Sequence, residues 1–429
     1  MGRIRSVLAT AAALLALAAP AQAARLDARE EGPAARIDVP DGVRVQRVAA
    51  GIPHPSNLAF DPRGRLWVTS AGHQAAASDG VWLVRRRGSR PRHVASGLES
   101  ALGVLWHRGE LYVSHIVPPN DAGRVTAFAG FDGSGFRRRR VVVDGLPTGL
   151  HRVDSLAAGP DGRLYLGVGS EFDAQRSPHP MSGTVVSFRP NGGGLQVEAR
   201  GLRNPYGLAF VPGTRRLLVS EHGRDDLGLR APPEEVNVVR TPGRARWFGF
   251  PECWGQGGAA CRGAEPPLAR LRVHSAPGGV AVAERFGRWG RSAFVARFGS
   301  SFDANPSGGD IVRIALGRPR SGVERSARRR GRPGVERSAR RPGPARVERF
   351  AAGFGRQEPL GLALGPRGRA LYVTLWTAGR IVRLVPRPAM TAGRLVRSLL
   401  QPFRIATTAG LGLLGLRPAP LSPSGHQDE

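Results

Sequence analysis

Short apolar runs joined by polar turns repeat along most of the chain, always in the same order. In each copy an apolar run leads into a turn that in most copies contains Pro and Gly, and a second apolar run follows. The copies span Leu58–Val68, Gly103–Val113, Leu156–Leu166, Leu208–Val219, Val280–Val295 and Leu362–Val373. Pro restricts φ and Gly supplies the positive φ of a tight hairpin. The pattern therefore predicts six hairpins of buried strands.

A third apolar run follows the hairpin in most copies. These runs are Gly80–Val84, Gly123–Phe128, Gly183–Phe188, Asp310–Ile314 and Gly379–Leu384. Units of three or four strands that repeat every roughly 40 to 50 residues are typical of β-propeller blades. A pair of β-sandwiches is the alternative, but six copies in phase favour an all-β, six-bladed β-propeller over residues 45–386.

The N-terminus has the features of a secretory signal peptide over residues 1–23. Arg3 and Arg5 precede an apolar run at 7–19, and Ala21-Gln22-Ala23 forms a small-residue cleavage site. The apolar run is shorter than a typical membrane span, although an uncleaved anchor is the alternative. We therefore expect a leader at 24–44 and a secreted, periplasmic or cell-envelope location.

Two further segments depart from the repeat. Residues 316–349 are rich in Arg, Pro and Gly, contain GVERSARR twice, and have no apolar face to bury, which predicts a disordered surface loop. Residues 387–429 form a C-terminal extension. Its apolar and Arg-containing part indicates either an amphipathic surface helix or a segment packed on the ring.

The formal net charge of +30 raises the question of nucleic-acid binding. All 63 basic residues are Arg and none is Lys, which indicates a compositional bias of the whole chain. No basic stripe with interleaved aromatic residues and no RNA-binding motif accompanies the charge. We therefore expect no nucleic-acid partner, while a weak association with an anionic cell envelope is compatible with the charge.

The chain contains two cysteines, Cys253 and Cys261. In an exported chain, an even pair this close together predicts a local disulfide. Two unrelated buried thiols are the alternative, and two ligands alone make a poor zinc site.

A histidine and an Arg-Asn pair stand at the start of two successive repeats. His151 precedes the third repeat, where it is either a general base or a loop histidine satisfied by its neighbours. Arg203 and Asn204 precede the fourth, and a fixed charge beside an amide suits a polarised carbonyl or a carboxylate.

Acidic residues are concentrated directly after the fourth hairpin. Glu221, Asp225 and Asp226 are followed by the pair Glu234 and Glu235. Carboxylates with nearby carbonyl and amide oxygens form the oxygen-rich environment that Ca²⁺ selects, although the spacing is not that of an EF-hand. A solvated acidic loop is the alternative.

Taken together, these motifs resemble the glucose/sorbosone dehydrogenase family. The resemblance rests on GLRNPYGLAF at 201–210, SEHG at 220–223, EEVN at 234–237 and WFGFP at 247–251, and it extends from about Val45 to Pro386. It implies a six-bladed propeller related to the soluble quinoprotein glucose dehydrogenases. Such proteins use pyrroloquinoline quinone (PQQ) with Ca²⁺ to oxidise sugars.

The resemblance also implies roles for single residues. His151 matches the general base, and Arg203 with Asn204 matches the pair that contacts the quinone carbonyls. Members of the family place a Lys on the quinone carboxylates, and because this chain has none, Arg297 and Arg356 are the candidates. The calcium ligands implied are Gly223, Arg224, Glu234, Glu235 and Phe248.

Three functions are compatible with these residues. The first is an exported dehydrogenase that passes electrons from a small sugar through PQQ and calcium to an external acceptor. The second is a non-catalytic propeller that keeps Ca²⁺ for stability and binds a glycan or a protein. The third, a metal-dependent lactonase, rests on fold analogy alone.

Overall fold

The computed structural model describes residues 37–72, 77–118, 121–300, 307–317, 345–355 and 358–387. The predicted signal peptide, most of the leader and of the Arg-rich stretch, Arg356, and all but the first residue of the C-terminal extension lie outside these ranges. All strands of the described residues belong to one compact unit that ends at Pro386. No helix among the described residues has the length and apolar character to cross a membrane.

The described part of the chain folds into 25 strands in six sheets, which we call blades 1 to 6 in chain order. The first strand, β1 (Val43–Ala50), belongs to the last blade. Blade 1 contains β2 (Pro55–Phe60), β3 (Leu66–Ser70), β4 (Gly80–Val84) and β5 (Arg92–Ser96). Blade 2 contains β6 (Glu99–His107), β7 (Glu110–Val117), β8 (Ala122–Phe131) and β9 (Phe136–Leu146).

The third and fourth blades are interleaved at their outer edges. Blade 3 contains β10 (Val153–Ala158), β11 (Leu164–Val168), β12 (Thr184–Phe188), β13 (Gln196–Arg200) and the short β17 (Arg246–Trp247). Blade 4 contains β14 (Pro205–Phe210), β15 (Arg216–Glu221), β16 (Glu234–Arg240) and β18 (Ala269–Leu271).

The last two blades complete the ring. Blade 5 contains β19 (Pro277–Ala283), β20 (Ser292–Arg297), β21 (Asp310–Ala315) and β22 (Val347–Ala351). Blade 6 contains β23 (Pro359–Leu364), β24 (Leu371–Leu375), β25 (Arg380–Pro386) and β1. Short 3₁₀ turns occupy Ala259–Cys261, Gly287–Trp289 and Pro366–Gly368.

The six hairpins predicted from the repeat are confirmed as the two inner strands of the six blades. The third apolar runs correspond to β4, β8, β12, β21 and β25. The ring closes because each inner strand packs against the next, and β23 packs against β2. In blade 6 the N-terminal β1 pairs antiparallel with the C-terminal β25, which joins the two ends of the propeller.

Both faces of the inner strands are largely buried, which explains why these strands read as continuous apolar runs. In β3, Leu66 and Val68 pack toward blade 6. Trp67 between them packs toward blade 2. Alternate side chains of one strand thus enter the interfaces on either side. An apolar cluster of this kind lies at each of the six interfaces between blades.

The inner strands approach so closely that some positions leave no space for a Cβ atom. At Gly103 an added Cβ would overlap the Asp154 carbonyl oxygen and lie 3.1 Å from the Ser155 Cα. We expect Gly103→Ala to lower the free energy of unfolding by about 1 to 3 kcal/mol, because backbone must shift. Gly135→Ala is the matched control, since a Cβ there meets nothing within 4 Å. Equal denaturation midpoints for the two variants would contradict this packing.

Candidate functional site

The predicted His and Arg-Asn positions meet at one end of the ring, where β10 and β14 begin and β11 and β15 end. Ser170, which follows β11, connects them through its backbone. Its carbonyl lies 2.8 Å from His151 Nδ1, and its N–H donates to the Arg203 carbonyl at 2.6 Å. The structure therefore brings His151 and Arg203 to the same place from different blades.

The hydrogen bond to Ser170 determines the tautomer of His151. A carbonyl oxygen only accepts, so Nδ1 carries the proton and Nε2 is left with its lone pair. Burial lowers the pKa of His151 to about 3, and the Arg203 guanidinium contributes in the same direction. The ring is consequently neutral at physiological pH, with Nε2 available as a proton acceptor.

The Arg203 side chain is held by two carboxylates. It donates to Asp225 Oδ2 at 2.8 Å and to Asp173 through both Nε and a terminal nitrogen. Only 4 % of the Arg203 side chain is exposed. Its backbone N–H also donates to the buried Glu221 carboxylate. The positive charge of Arg203 is therefore already compensated by the carboxylates of Asp173 and Asp225.

Asn204 and His222 form a second polar pair. The Asn204 side-chain nitrogen lies 3.3 Å from His222 Nδ1, and His222 Nε2 lies 3.0 Å from the Pro277 carbonyl oxygen. That carbonyl can only accept, so Nε2 is protonated and Nδ1 accepts from Asn204. Burial lowers the pKa of His222 to about 3. The Asn204 Oδ1 atom is buried and has no hydrogen-bond partner among the described residues.

An apolar cluster adjoins this polar group. Its buried members are Tyr206, Leu360 and Trp376, with Leu102 and Phe298 packed against them. The Tyr206 ring lies nearly parallel to the His222 imidazole, with centroids 5.8 Å apart and an interplanar angle of 13°. Together these side chains form a small apolar cluster that includes residues from the start of three inner strands.

Buried carboxylates converge on a small cavity next to Arg203. The cavity has a volume of about 30 Å³, and its lining includes Glu221, Glu235, Asn237, Gly223 and Phe248. The Glu221 Oε2 and Asn237 Oδ1 atoms are buried without a hydrogen-bond partner in the described structure. Burial raises the pKa of Glu235 to about 7. Burial also raises that of Glu221, and the charge of Glu235 adds to the increase.

Four of the five predicted calcium residues line this cavity, namely Gly223, Arg224, Glu235 and Phe248. The fifth, Glu234, precedes Glu235 in β16, and neighbouring residues of a strand project to opposite faces. Its carboxylate accepts the Gly223 N–H at 2.5 Å instead. The acidic pair is therefore part of a strand rather than a solvated loop, and its two side chains are separated.

The two candidates for the quinone carboxylates lie elsewhere. Arg297 is at the end of β20, and its guanidinium donates to both oxygens of the buried Asp310 at 2.7 and 2.5 Å. Arg356 is outside the described residues. The cofactor roles of both residues therefore stay predictions.

The predicted local disulfide between Cys253 and Cys261 is confirmed. Glu252, next to Cys253, forms two hydrogen bonds with Arg176 at 2.7 and 2.9 Å. The loop after β17 is thereby attached to the loop that follows β11.

The structure gives separate roles to residues of the predicted acidic segment and adds Asp173, which sequence reasoning missed. Glu221 and Asn237 line the small cavity, and Asp173 and Asp225 hold Arg203. Glu221 and Asn237 stood inside the SEHG and EEVN motifs, so the motif itself was a signal. No signal in the sequence points to Asp173, because it reaches Arg203 only when blades 3 and 4 pack together.

The fold and this group of residues define a six-bladed propeller with a His, an Arg-Asn pair and buried carboxylates at one end of the ring. No protein-family model matches the chain. An uncharacterized protein of Borreliella burgdorferi is 29 % identical over 105 residues, which cover 24 % of this chain and 26 % of that protein. The chain thus matches about a quarter of the length of that curated relative.

Solved structures show the same architecture over most of the chain. The holo form of the PQQ domain of pyranose dehydrogenase from Coprinopsis cinerea matches with a TM-score of 0.62 and 18 % identity, covering 82 % of this chain and 98 % of that one. Iodide and calcium structures of a Trichoderma reesei AA12 carbohydrate-active enzyme match with TM-scores of 0.64 and 0.62, both at 17 % identity and with the same coverage. At these identities the similarity establishes the fold.

Proposed function

We propose that this protein is an exported dehydrogenase of small sugars, in which His151 removes the proton of the sugar hydroxyl that is oxidised. The observation that carries the proposal is the Ser170 carbonyl, which leaves Nε2 of His151 as an acceptor. Proton removal by a positioned histidine is general base catalysis. The similarity in fold to a PQQ domain and to AA12 structures supports this class of reaction.

A PQQ-type quinone, when bound, would accept the hydride from the sugar carbon and pass the electrons to an external acceptor. The described residues suit the ring of such a cofactor better than its carboxylates. The apolar cluster around Tyr206 and Trp376 offers a surface for a planar ring, and the unpartnered Asn204 Oδ1 lies in the polar group beside it. Arg203 and Arg297 are each compensated by carboxylates.

A calcium ion suits the small cavity. Among the described residues, no group of three or more His, Cys, Asp or Glu side chains could hold a metal ion. The cavity instead combines two carboxylates, Glu221 and Glu235, with the Asn237 amide. Oxygen donors of mixed type are those that Ca²⁺ accepts. The unpartnered oxygens of Glu221 and Asn237 would coordinate the cation there.

Calcium stabilisation should depend on pH. Between the ordinary pKa of 4.5 and about 7, folded Glu235 keeps a proton that the unfolded chain has released. Without calcium, stability therefore falls as the pH rises through this window. Calcium binds the deprotonated carboxylates, so it should raise the Tm more at pH 8 than at pH 5. Calcium at 100 times its Kd adds about 2.7 kcal/mol, which corresponds to several degrees.

Thermal unfolding with and without Ca²⁺ at the two pH values measures this effect. Glu235→Gln is expected to remove the calcium-dependent increase. An equal increase at both pH values, or an unchanged increase in the Glu235→Gln variant, would contradict the assignment of the cavity to calcium.

The proposed activity is tested with the purified mature chain. PQQ and Ca²⁺ are added, and the reduction of an electron-accepting dye is followed with a panel of aldoses and sugar aldehydes. We expect a cofactor-dependent change in the quinone spectrum and turnover with at least one sugar. No spectral change and no turnover would instead favour the non-catalytic, calcium-stabilised propeller, whose binding partner is a glycan or a protein. The compensated charges of Arg203 and Arg297 are the observation that favours that second function.

A further inference from the structure

Blade 3 has a fifth strand that the other five described blades lack. This strand, β17, pairs in parallel with β13, and the register places Trp247 beside Arg200. On the other side of β13, Arg200 is paired with Thr184 of β12. Side chains of directly paired residues project from the same face of a sheet. Thr184, Arg200 and Trp247 therefore form a row across three strands.

This row lines a cleft of about 660 Å³ that adjoins the small cavity next to Arg203 and shares Gly201, Leu202, Phe250 and Pro251 with it. A volume of this size is within the range of sites for small molecules. The cleft also reaches Ser170, whose carbonyl receives the hydrogen bond from His151. It therefore adjoins the candidate active site on the side of blade 3.

The charges that line the cleft are all positive. Its described lining contains Arg176 and Arg200 and includes no Asp or Glu. Arg176 is compensated by Glu252 through two hydrogen bonds. Arg200, in contrast, has no ion pair with any carboxylate in the described part of the chain. The guanidinium of Arg200 is thus the group that remains to bind an anion, and its planar shape matches a carboxylate.

Trp247 supplies an aromatic wall beside this charge. The indole lies close over the backbone at Gly201, where a Cβ atom would overlap its ring. Backbone hydrogen bonds from Phe248 to the Arg200 carbonyl and from Phe250 to the Gly201 carbonyl, at 2.9 and 2.8 Å, hold the segment in place. The face of an indole can pack against the apolar face of a ligand ring. The polar substituents of that ligand then remain free to bind polar partners.

We propose that this cleft binds a pyranose that carries a carboxylate, such as a uronic acid residue. The carboxylate pairs with Arg200, and the ring lies against Trp247. Thr184 is buried and its hydroxyl donates to the Met181 carbonyl at 2.7 Å, so it belongs to the wall of the cleft rather than to the groups that contact the ligand. The carboxylate follows from the charge of the cleft, while the choice of a sugar rests in part on the proposed function.

The test is calorimetric titration of the full mature chain, without PQQ, with D-glucuronate, D-glucose and glucose 6-phosphate. We expect glucuronate to bind about tenfold or more tightly than glucose, since a charge-assisted hydrogen-bonded pair distinguishes them. Arg200→Gln should weaken glucuronate binding by about the same factor, and Trp247→Ala should weaken both sugars. Trp247→Phe, which keeps a ring, should retain most of the affinity. Arg215→Gln, an exposed Arg in the hairpin turn of blade 4, is the matched control.

The outcomes separate this site from the proposed reaction. Glucuronate binding that persists in His151→Ala and depends on Arg200 would support the cleft even if no sugar is oxidised with PQQ. Equal affinities for glucose and glucuronate, or an unchanged affinity in Arg200→Gln, would overturn the proposal. Tighter binding of glucose 6-phosphate through Arg200 would overturn the assignment to a carboxylate.

Discussion

Replacing His151 by alanine is expected to lower kcat for sugar oxidation about a thousandfold, within the range of about 10² to 10⁴ for loss of a general base. The variant removes the lone pair at Nε2 that the hydrogen bond to Ser170 leaves free. Steady-state kinetics with saturating PQQ and Ca²⁺ measure the effect, and the bound quinone should keep its spectrum.

The pH dependence provides a second measurement on the same residue. Burial and the Arg203 charge lower the pKa of His151 to about 3, so the base becomes protonated only near that pH. An acidic limb due to His151 should therefore lie below pH about 4 rather than near 6.5. His107→Ala, at the last residue of β6 and at the other end of the strands, is the matched control. Retention of more than a tenth of kcat in His151→Ala would exclude this role.

Removing Arg297 should cause the largest loss of stability among the variants considered. Its side chain and that of Asp310 are 10 % and 5 % exposed, and the two form a bidentate pair. Arg297→Ala leaves the Asp310 charge buried, with the 69 % exposed Arg349 as its remaining ion-pair partner at 3.5 Å. Breaking one side of a buried pair costs about 3 to 5 kcal/mol. Chemical denaturation without cofactor measures this loss.

A double-mutant cycle identifies the source of the loss. The Arg297→Ala/Asp310→Ala variant should be more stable than Arg297→Ala, because no buried charge is then left unpaired. If Arg297→Ala unfolds like the unmodified chain and only PQQ binding weakens, Arg297 serves the cofactor, as the family resemblance implies. The two results distinguish a structural ion pair from a cofactor ligand.

Much of the architecture could be predicted because its signals are local. The turn at 61–65 shows why. Gly64 adopts a φ of +76°, and Asp61 accepts hydrogen bonds from the Arg65 backbone N–H and the Trp67 indole at 3.1 and 2.9 Å. All of these groups lie within seven residues. The conformation of such a hairpin is determined by residues within the hairpin itself. Its repetition along the chain indicates the ring.

The candidate site was predictable in part. His151, Arg203 and Asn204 could be selected from the sequence because each stands at the start of an inner strand. The metal residues were selected from a motif, and the motif could not show that Glu234 and Glu235 project in opposite directions. That separation follows from the strand geometry of β16.

By itself, the sequence determined an all-β ring of six hairpins, the local disulfide and the residues at the start of blades 3 and 4. Only the tertiary structure decided that β1 completes blade 6, that Glu221 joins Glu235 and Asn237 at one cavity, and that Trp247 lies beside Arg200. The physical reason is the distance along the chain. Turns and buried strands arise from neighbouring residues, whereas these contacts exist only after separate strands have been paired and packed.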